Sequence, residues 1–178
     1  MNDTESSIVN SFGANGFSSI TSIQAKAIPV LARKKSCLLV APTGSGKTEA
    51  SVIPIFYFLS RNEQRTRSIK CIYVTPLRAL NNDVLRRIIS NANNYKLDVR
   101  IRHGDTSEKE RRRILDNPPD ILITTRESLA VILTSSKYVL ALNQLQWVIL
   151  DEIHELINNE RGAHLSLSLE RLQSCSNE

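Results

Sequence analysis

The chain has 178 residues, a formal net charge of +5 and an apolar content of 41%, which predict one globular domain with a core of its own. No apolar run approaches the roughly 20 residues of a membrane span, and the polar, acidic N-terminal residues lack a signal region. Cys37, Cys71 and Cys175 form no Cys-x-x-Cys pair. We therefore expect reduced thiols in a cytoplasmic protein with no membrane partner.

Basic residues are concentrated in the middle of the chain. Residues 61–113 hold 14 Lys+Arg and 6 Asp+Glu, whereas the remainder holds 9 and 12. Such a footprint suits a polyanion such as nucleic acid. Charge alone nevertheless favours the alternative, which is a solvated surface.

Short apolar runs alternate with helical stretches along the chain. The predicted strands are residues 37–41, 70–75, 98–103, 121–125 and 146–151. The predicted helices are residues 23–33, 48–60, 78–92, 107–115, 127–134 and 162–175. Several strands are apolar throughout, which is typical of a parallel sheet covered on both faces. The sequence therefore predicts a three-layer α/β domain with a mainly parallel central sheet.

The first predicted strand leads into a glycine-rich segment, Ala41-Pro42-Thr43-Gly44-Ser45-Gly46-Lys47-Thr48. A strand, a glycine-rich turn, Lys-Thr and a helix form the arrangement of a phosphate-binding loop (P-loop). Lys47 can reach the outer phosphates of a nucleotide, and the Thr48 hydroxyl can ligate Mg²⁺. Ala41 departs from the usual glycine, whereas Gly44 and Gly46 remain where the backbone must turn. The alternative is an ordinary Gly-Ser turn that caps a helix.

Three further helix starts directly follow predicted strands. They are Thr75-Pro76, Ser107-x-x-Glu110 and Thr124-x-x-Glu127. The first has proline at the first helical position, and the other two have the spacing of capping boxes. Parallel strands end at one edge of a sheet, so we expect these starts and the phosphate loop to line up there. They could hold phosphates of a polymer, or they could serve only as caps.

An acidic box, Asp151-Glu152-Ile153-His154, ends the last predicted strand. Nucleotide-hydrolysing sites hold Mg²⁺ with an acidic residue at such a position. Asp151 could bind the metal, and Glu152 could orient and deprotonate the attacking water. The alternative is a surface turn, which the phosphate loop upstream makes a weak one. His154 taken alone would more often be structural.

Together these segments resemble the first motor domain of a superfamily 2 helicase. The segments that carry this resemblance are the phosphate loop, Thr75-Pro76-Leu77-Arg78-Ala79-Leu80 and the Asp-Glu-Ile-His box. Finer features resemble the large helicase-related (Lhr) group, namely His103-Gly104-Asp105-Thr106, residues 118–125, Glu127-Ser128-Leu129 and residues 161–172. The resemblance covers nearly the whole chain. It implies a RecA-like P-loop NTPase domain over residues 1–178 that uses ATP and Mg²⁺.

The resemblance also implies a nucleotide site. Phosphates and Mg²⁺ would be held by Thr43, Gly44, Ser45, Gly46, Lys47 and Thr48. Asp151 and Glu152 would be the metal ligand and the catalytic base, and His154 would link the ATP site to the rest of the motor. Gln24, in the upstream region 1–35, resembles the glutamine that contacts the adenine edge; the alternative is a surface glutamine. Phe17 could pack beside the adenine or in the core.

A nucleic-acid site is implied in the same way. Its residues would be Pro76, Leu77, Arg78, Gly104, Asp105, Thr106, Thr125, Arg126, Glu127 and Ser128. Backbone N–H groups, hydroxyls and arginine suit phosphates without selecting a base sequence. Arg126 stands where relatives usually have proline, and it could strengthen the contact or be neutral. The basic run from Lys109 to Arg113 is more often a solvated helix face.

The resemblance implies an ATP-dependent helicase or translocase that acts on a single strand of DNA or RNA. The family places a Ser-Ala-Thr motif and a second RecA-like domain with an arginine finger beyond the last helix. We therefore expect a monomeric fragment that hydrolyses ATP weakly and needs that second domain. The alternatives are a non-catalytic nucleic-acid-binding module and the motor of a double-strand translocase or restriction enzyme.

Overall fold

The computed structural model describes residues 3–61, 67–76, 83–156 and 160–175. The chain divides into two compact units, one formed by Met1–Glu63 with Asp83–Leu97 and the other by Gln64–Asn82 with Asp98–Glu178. Each unit has its own buried side chains. Within the described part of the chain, every helix is too short or too polar to cross a membrane.

The described part of the first unit is helical. Its helices are α1 (Asp3–Ala14), α2 (Ser22–Ala32), α3 (Lys47–Ser60) and, later in the chain, α4 (Asp83–Asn94). Its fully buried side chains include those of Ile8, Phe12, Ile28, Ile53, Phe56 and Ile88. The predicted helices of this unit are confirmed. Helix α1 was not predicted, because only Ile8 and Phe12 give it an apolar face within a polar segment.

The second unit contains a sheet and the remaining helices. Its elements are β1 (Cys71–Val74), β2 (Val99–Arg102), α5 (Glu108–Asp116), β3 (Ile121–Thr124), α6 (Arg126–Ile132), α7 (Ser136–Ala141), β4 (Trp147–Leu150) and α8 (Glu160–Cys175). A short 3₁₀ turn, Ile153–Leu156, follows β4. Helix α7 was not predicted, because its six residues are too few for a clear period.

The sheet has the strand order β2-β3-β1-β4, and all its neighbouring strands are parallel. Cys71 of β1 lies opposite Ile121 of β3 on one side and Trp147 of β4 on the other. All residues of β1 and β3 are buried, as their continuous apolar runs predict. Four of the five predicted strands and the parallel arrangement are confirmed.

The predicted strand over residues 37–41 is wrong. This segment has no regular secondary structure, and Leu38 and Val40 are 70% and 79% exposed. An apolar run indicates a tendency to be buried, but a strand forms only when its backbone pairs with a neighbour. The four-stranded sheet does not include this segment. The expectation that the phosphate loop follows a strand of the sheet is therefore not met.

Two predicted helix starts differ in detail from the structure. The N-cap of α6 is Thr125, whose hydroxyl accepts the Ser128 N–H, whereas Thr124 ends β3 and donates to the Arg102 carbonyl. The predicted capping box at Thr124 is thus wrong by one residue, because strand pairing holds Thr124. At α5 the Ser107 cap is confirmed. The predicted start at Thr75-Pro76 continues into residues 77–82, outside the described part of the chain.

Candidate nucleotide and nucleic-acid sites

The phosphate loop lies in the first unit, and two glycines shape it. Gly44 and Gly46 have φ angles of +76° and +84°, in the left-handed region that favours glycine. Gly46 is also the N-cap of α3. A Cβ atom at Gly46 would lie 2.5 Å from the Nε2 atom of Gln24. Position 46 therefore excludes a side chain for two reasons, its backbone angle and its close neighbour.

The end of this loop offers hydrogen-bond donors. The backbone N–H groups of Gly46, Lys47 and Thr48 donate to no acceptor in the described part of the chain. They belong to the first turn of α3, where the helix dipole adds partial positive charge. Thr43 is exposed and Thr48 is half-buried. This end of the helix has the donor set that binds phosphate oxygens.

The Lys47 side chain lies against its own loop. Its Nζ atom donates to the carbonyl oxygens of Ala41 and Pro42, the second at 3.1 Å. The Ser45 hydroxyl donates to the same Pro42 carbonyl at 2.7 Å. The lysine that the resemblance assigns to the nucleotide phosphates therefore donates its hydrogen bonds to carbonyls of the loop.

Gln24 ties helix α2 to the phosphate loop. Its side chain is buried, with Oε1 accepting the Thr21 N–H at 2.8 Å and Nε2 donating to the Gly46 carbonyl at 3.3 Å. The Thr21 hydroxyl donates to the Ser45 carbonyl at 2.8 Å. The surface-glutamine alternative is therefore wrong, and the adenine contact stays a prediction. Phe17 packs edge-on against Phe12, with ring centroids 5.9 Å apart.

The acidic box lies at the end of β4 in the second unit. The Oδ2 atom of Asp151 accepts the Tyr73 hydroxyl at 2.8 Å and the Thr75 hydroxyl at 3.4 Å. Its Oδ1 atom accepts the Glu152 N–H at 3.0 Å. Both oxygens of this carboxylate thus have fixed partners, and its orientation is well defined.

Glu152 projects from an unusual backbone position. Its φ angle is +52°, although it is not glycine, and such angles concentrate at functional sites. Its Oε2 atom lies 3.3 Å from the Nδ1 atom of His154, and both side chains are exposed. The two side chains therefore contact each other directly at the turn that follows β4.

The side chains of this box fit Mg²⁺ better than a transition metal. The described residues include no group of three or more His, Cys, Asp or Glu side chains that could hold a metal ion. Mg²⁺ prefers oxygen ligands and typically takes one or two carboxylates, completing its shell with water and substrate phosphates. One oriented aspartate at a strand end meets that requirement.

Nucleic-acid candidates lie at the ends of β2, β3 and β1, which share one edge of the sheet because the strands are parallel. After β2, the His103 N–H donates to the Thr106 hydroxyl at 2.9 Å, and the Asp105 N–H donates to the His103 ring at 3.3 Å. Arg111 of α5 donates to the Gly104 carbonyl at 2.7 Å. After β1, Pro76 is half-buried, and Leu77 and Arg78 lie outside the described residues.

After β3, the start of α6 is held from inside the unit. Arg102 is buried and donates from Nη1 to the Ser128 carbonyl at 3.0 Å, with its guanidinium 5.4 Å from the centre of the Tyr138 ring. Arg126 pairs with the adjacent Glu127 carboxylate at 2.6 Å. The charge of Arg126 is therefore partly compensated by an exposed carboxylate of the next residue.

Two of the four basic residues of α5 are paired with acids. Arg112 lies 3.7 Å from Glu108, and Arg113 lies 3.8 Å from Glu110. Arg100 of β2 also contacts Glu110, and its hydrogen bond to Asp98 raises its pKa. These pairs support the solvated-face alternative for the run from Lys109 to Arg113.

The sequence analysis missed several residues that shape these sites. Tyr73 and Arg102 were assigned only to strands, and Thr21 was not considered. A usable signal existed for Tyr73, because hydroxyl residues at positions 73 and 75 alternate onto one face near the end of a strand. No comparable signal marks Arg102, since its role depends on contacts with α6 and α7.

Comparison with known proteins identifies relatives over most of the chain. The DEAD/DEAH box helicase family matches residues 21–178. The ATP-dependent helicase Lhr-Core of Methanothermobacter thermautotrophicus is 42% identical over 171 residues, covering 88% of this chain and 20% of the relative. The Lhr helicase/uracil glycosylase of Escherichia coli is 38% identical, covering 89% of this chain and 11% of that protein. The chain thus spans a fifth or less of the length of these relatives.

Solved structures show the same likeness. Mycobacterium smegmatis helicase Lhr bound to ssDNA and AMP-PNP matches with a TM-score of 0.83 at 35% identity, covering 96% of this chain and 23% of that chain. Helicase MrfA bound to DNA and AMPPNP matches with a TM-score of 0.80 at 20% identity, covering 100% and 26%, and this supports the fold alone. The predicted RecA-like fold and the resemblance to the Lhr group are confirmed. Because the family match includes the phosphate loop and the acidic box, the chain belongs to the DEAD/DEAH box helicase family.

Proposed function

We propose that residues 1–178 form the ATP-binding motor domain of an ATP-dependent helicase or translocase, which acts in the cytoplasm on a single nucleic-acid strand. The observation that carries this proposal is the geometry of the phosphate loop. Left-handed glycines, a helix that begins at Lys47 and N–H groups with no acceptor among the described residues support an anion site here. Family membership makes ATP the expected anion.

Nucleotide binding would use the loop in a defined way. The N–H groups of residues 44–48 would donate to the phosphates, and Lys47 would exchange its two loop carbonyls for phosphate oxygens. The Thr48 hydroxyl would contribute to the Mg²⁺ site. Gln24 would contact adenine only after giving up at least one of its present hydrogen bonds.

Hydrolysis would use the acidic box. Asp151 would hold Mg²⁺, which neutralises the charge that develops on the transferring phosphate. Glu152 would accept a proton from the attacking water, and its contact with His154 would orient it. We propose that efficient hydrolysis also needs a second RecA-like domain that supplies an arginine finger, which is worth about 10³–10⁵ in rate in related enzymes.

The nucleic-acid strand would run along the edge formed by the ends of β1, β3 and β2. The candidate contacts are Pro76, Gly104, Asp105, Thr106, Thr125, Arg126, Glu127 and Ser128, together with Leu77 and Arg78. Loop N–H groups and hydroxyls suit the backbone of either DNA or RNA. The related Lhr structure contains ssDNA, which supports a single strand as the ligand.

The test measures the nucleotide affinity of the 178-residue chain. A fluorescent ATP analogue is titrated into the protein in the presence of Mg²⁺. We expect Lys47→Ala to weaken binding by about 10-fold to 100-fold, because a hydrogen bond from a charged donor contributes about 1.5–3 kcal/mol. Lys26→Ala is the matched control, since Lys26 is an exposed lysine of the same unit. Equal affinities for the two variants would refute the proposed phosphate site.

A further inference from the structure

We propose that Tyr73 is a positioning residue that orients the Asp151 carboxylate for Mg²⁺, with Thr75 in a supporting role. This inference rests on the proposed function, because it takes Asp151 to be the metal ligand. Tyr73 itself would contact neither the metal nor the nucleotide. Its effect on the metal would pass through one oxygen of Asp151.

The register of the sheet creates this contact. Tyr73 of β1 lies opposite Ile149 of β4, and the Asp151 N–H donates to the Val74 carbonyl at 2.9 Å. Side chains two residues apart share a face of a strand, so positions 73 and 75 lie on one side of their strand, as do positions 149 and 151 on theirs. Registered neighbours in a parallel pair point the same way. The two hydroxyls therefore reach Asp151 through strand pairing, with no loop in between.

Both hydroxyls bind the same oxygen of the carboxylate. Tyr73 donates to Oδ2 at 2.8 Å and Thr75 at 3.4 Å, while Oδ1 accepts the Glu152 N–H at 3.0 Å. A carboxylate offers about four lone-pair sites, so three donors leave few directions for a cation. The hydrogen bonds thus select the direction in which Asp151 can bind a metal.

Burial makes Tyr73 a stiff donor. Tyr73 and Thr75 are each only 3% exposed, so packing limits their rotation. The χ2 angle of an aspartate has a broad distribution, and the hydrogen bonds from Tyr73 and Thr75 narrow it. Removing groups that orient metal ligands typically weakens metal affinity by about 10–100-fold. The ring of phenylalanine would keep the packing of Tyr73 and remove only the hydroxyl.

The test measures metal binding directly, without ATP turnover. Mn²⁺ is titrated into the 178-residue chain in the presence of a non-hydrolysable ATP analogue, and bound Mn²⁺ is followed by electron paramagnetic resonance. We expect Tyr73→Phe to weaken Mn²⁺ binding by about tenfold or more. Tyr138→Phe is the matched control, because Tyr138 is 4% exposed in the same unit and its hydroxyl donates to the Arg111 carbonyl at 3.5 Å. We expect that control to bind Mn²⁺ as the unchanged chain does.

Two further variants separate the possible failures. Asp151→Asn should abolish the Mn²⁺ signal; if it does not, the metal role in the proposed function is wrong. If Asp151→Asn abolishes the signal but Tyr73→Phe binds like Tyr138→Phe, only the present inference is overturned. Should Tyr73→Phe fail to fold, Thr75→Val takes its place, with an expected loss of about threefold for its longer hydrogen bond. Unchanged Mn²⁺ binding in Thr75→Val would then overturn the inference.

Discussion

Lys70→Met is expected to lower the free energy of unfolding by about 3 kcal/mol. Lys70 is 3% exposed, and its Nζ atom lies 2.8 Å from Oδ1 of Asp120. The other oxygen of Asp120 accepts the Asp98 N–H at 3.0 Å. Removing the lysine would leave a carboxylate that is only 25% exposed with one weaker partner.

The magnitude follows from burial. Breaking a fully buried ion pair by removing one partner costs about 3–5 kcal/mol. The Asp120 side chain is 25% exposed, so water can reach it and the lower end applies. Methionine fills most of the volume of lysine, which keeps the cavity contribution small. A loss of about 3 kcal/mol is large against a total stability of roughly 5–15 kcal/mol.

The assay is urea-induced unfolding of the 178-residue chain at pH 7. Asp120→Asn should cost at least as much, since it leaves the more deeply buried lysine without its carboxylate. Joining both changes should cost less than the sum of the two, because the pair is then removed together. A loss below about 1 kcal/mol for Lys70→Met would refute the reasoning, since that is the value of an exposed pair.

Three smaller changes test other features. Gly46→Ala should destabilise the chain more than Gly44→Ala by about 1 kcal/mol or more in urea unfolding. Of the two positions, only at 46 would the added Cβ atom meet a close neighbour, Gln24 Nε2 at 2.5 Å. Ser107→Ala should cost about 1 kcal/mol of thermal stability through loss of the α5 cap, whereas Ser107→Asp should keep it. Burial raises the pKa of Cys71 to about 12 from 9.0, so the unfolded chain ionises first as pH rises and stability falls by about 1 kcal/mol at pH 10. Cys71→Ala should remove that part of the pH dependence in urea unfolding measured between pH 7 and pH 10.

Each of these three has a contradicting result. Equal losses for the two glycine variants would show that Gln24 moves aside freely. A loss for Ser107→Asp as large as for Ser107→Ala would assign the effect to packing rather than to capping. An unchanged pH dependence in Cys71→Ala would mean that other groups, such as Tyr95 with its burial-raised pKa, account for the whole alkaline loss.

The helices and strands were predictable where a local sequence pattern determines them. The strands β1 and β3 were predicted correctly because they are buried on both faces, so their apolar runs are unbroken. The run over residues 37–41 has the same pattern and failed, because apolarity does not specify a pairing partner. The predicted cap of α6 is wrong by one residue, because Thr124 and Thr125 both have hydroxyls. Only the pairing of β3 with its neighbours decides which of the two can cap the helix.

The residues of the candidate sites were also predictable only where a local pattern marks them. Lys47 and Thr48 follow from spacing, because the loop and its helix are adjacent in the chain. The contact between Tyr73 and Asp151 joins residues 78 positions apart, and only the sheet register brings them together. The ion pair of Lys70 with Asp120 is equally invisible in the sequence, where both residues look like ordinary surface charges.

The lysine that bends back onto its own loop has a consequence for nucleotide exchange. The carbonyls of Ala41 and Pro42 accept hydrogen bonds from the ammonium group of Lys47, as phosphate oxygens would. A nucleotide phosphate that bound Lys47 would have to displace these internal acceptors, so its net gain in binding free energy would be smaller.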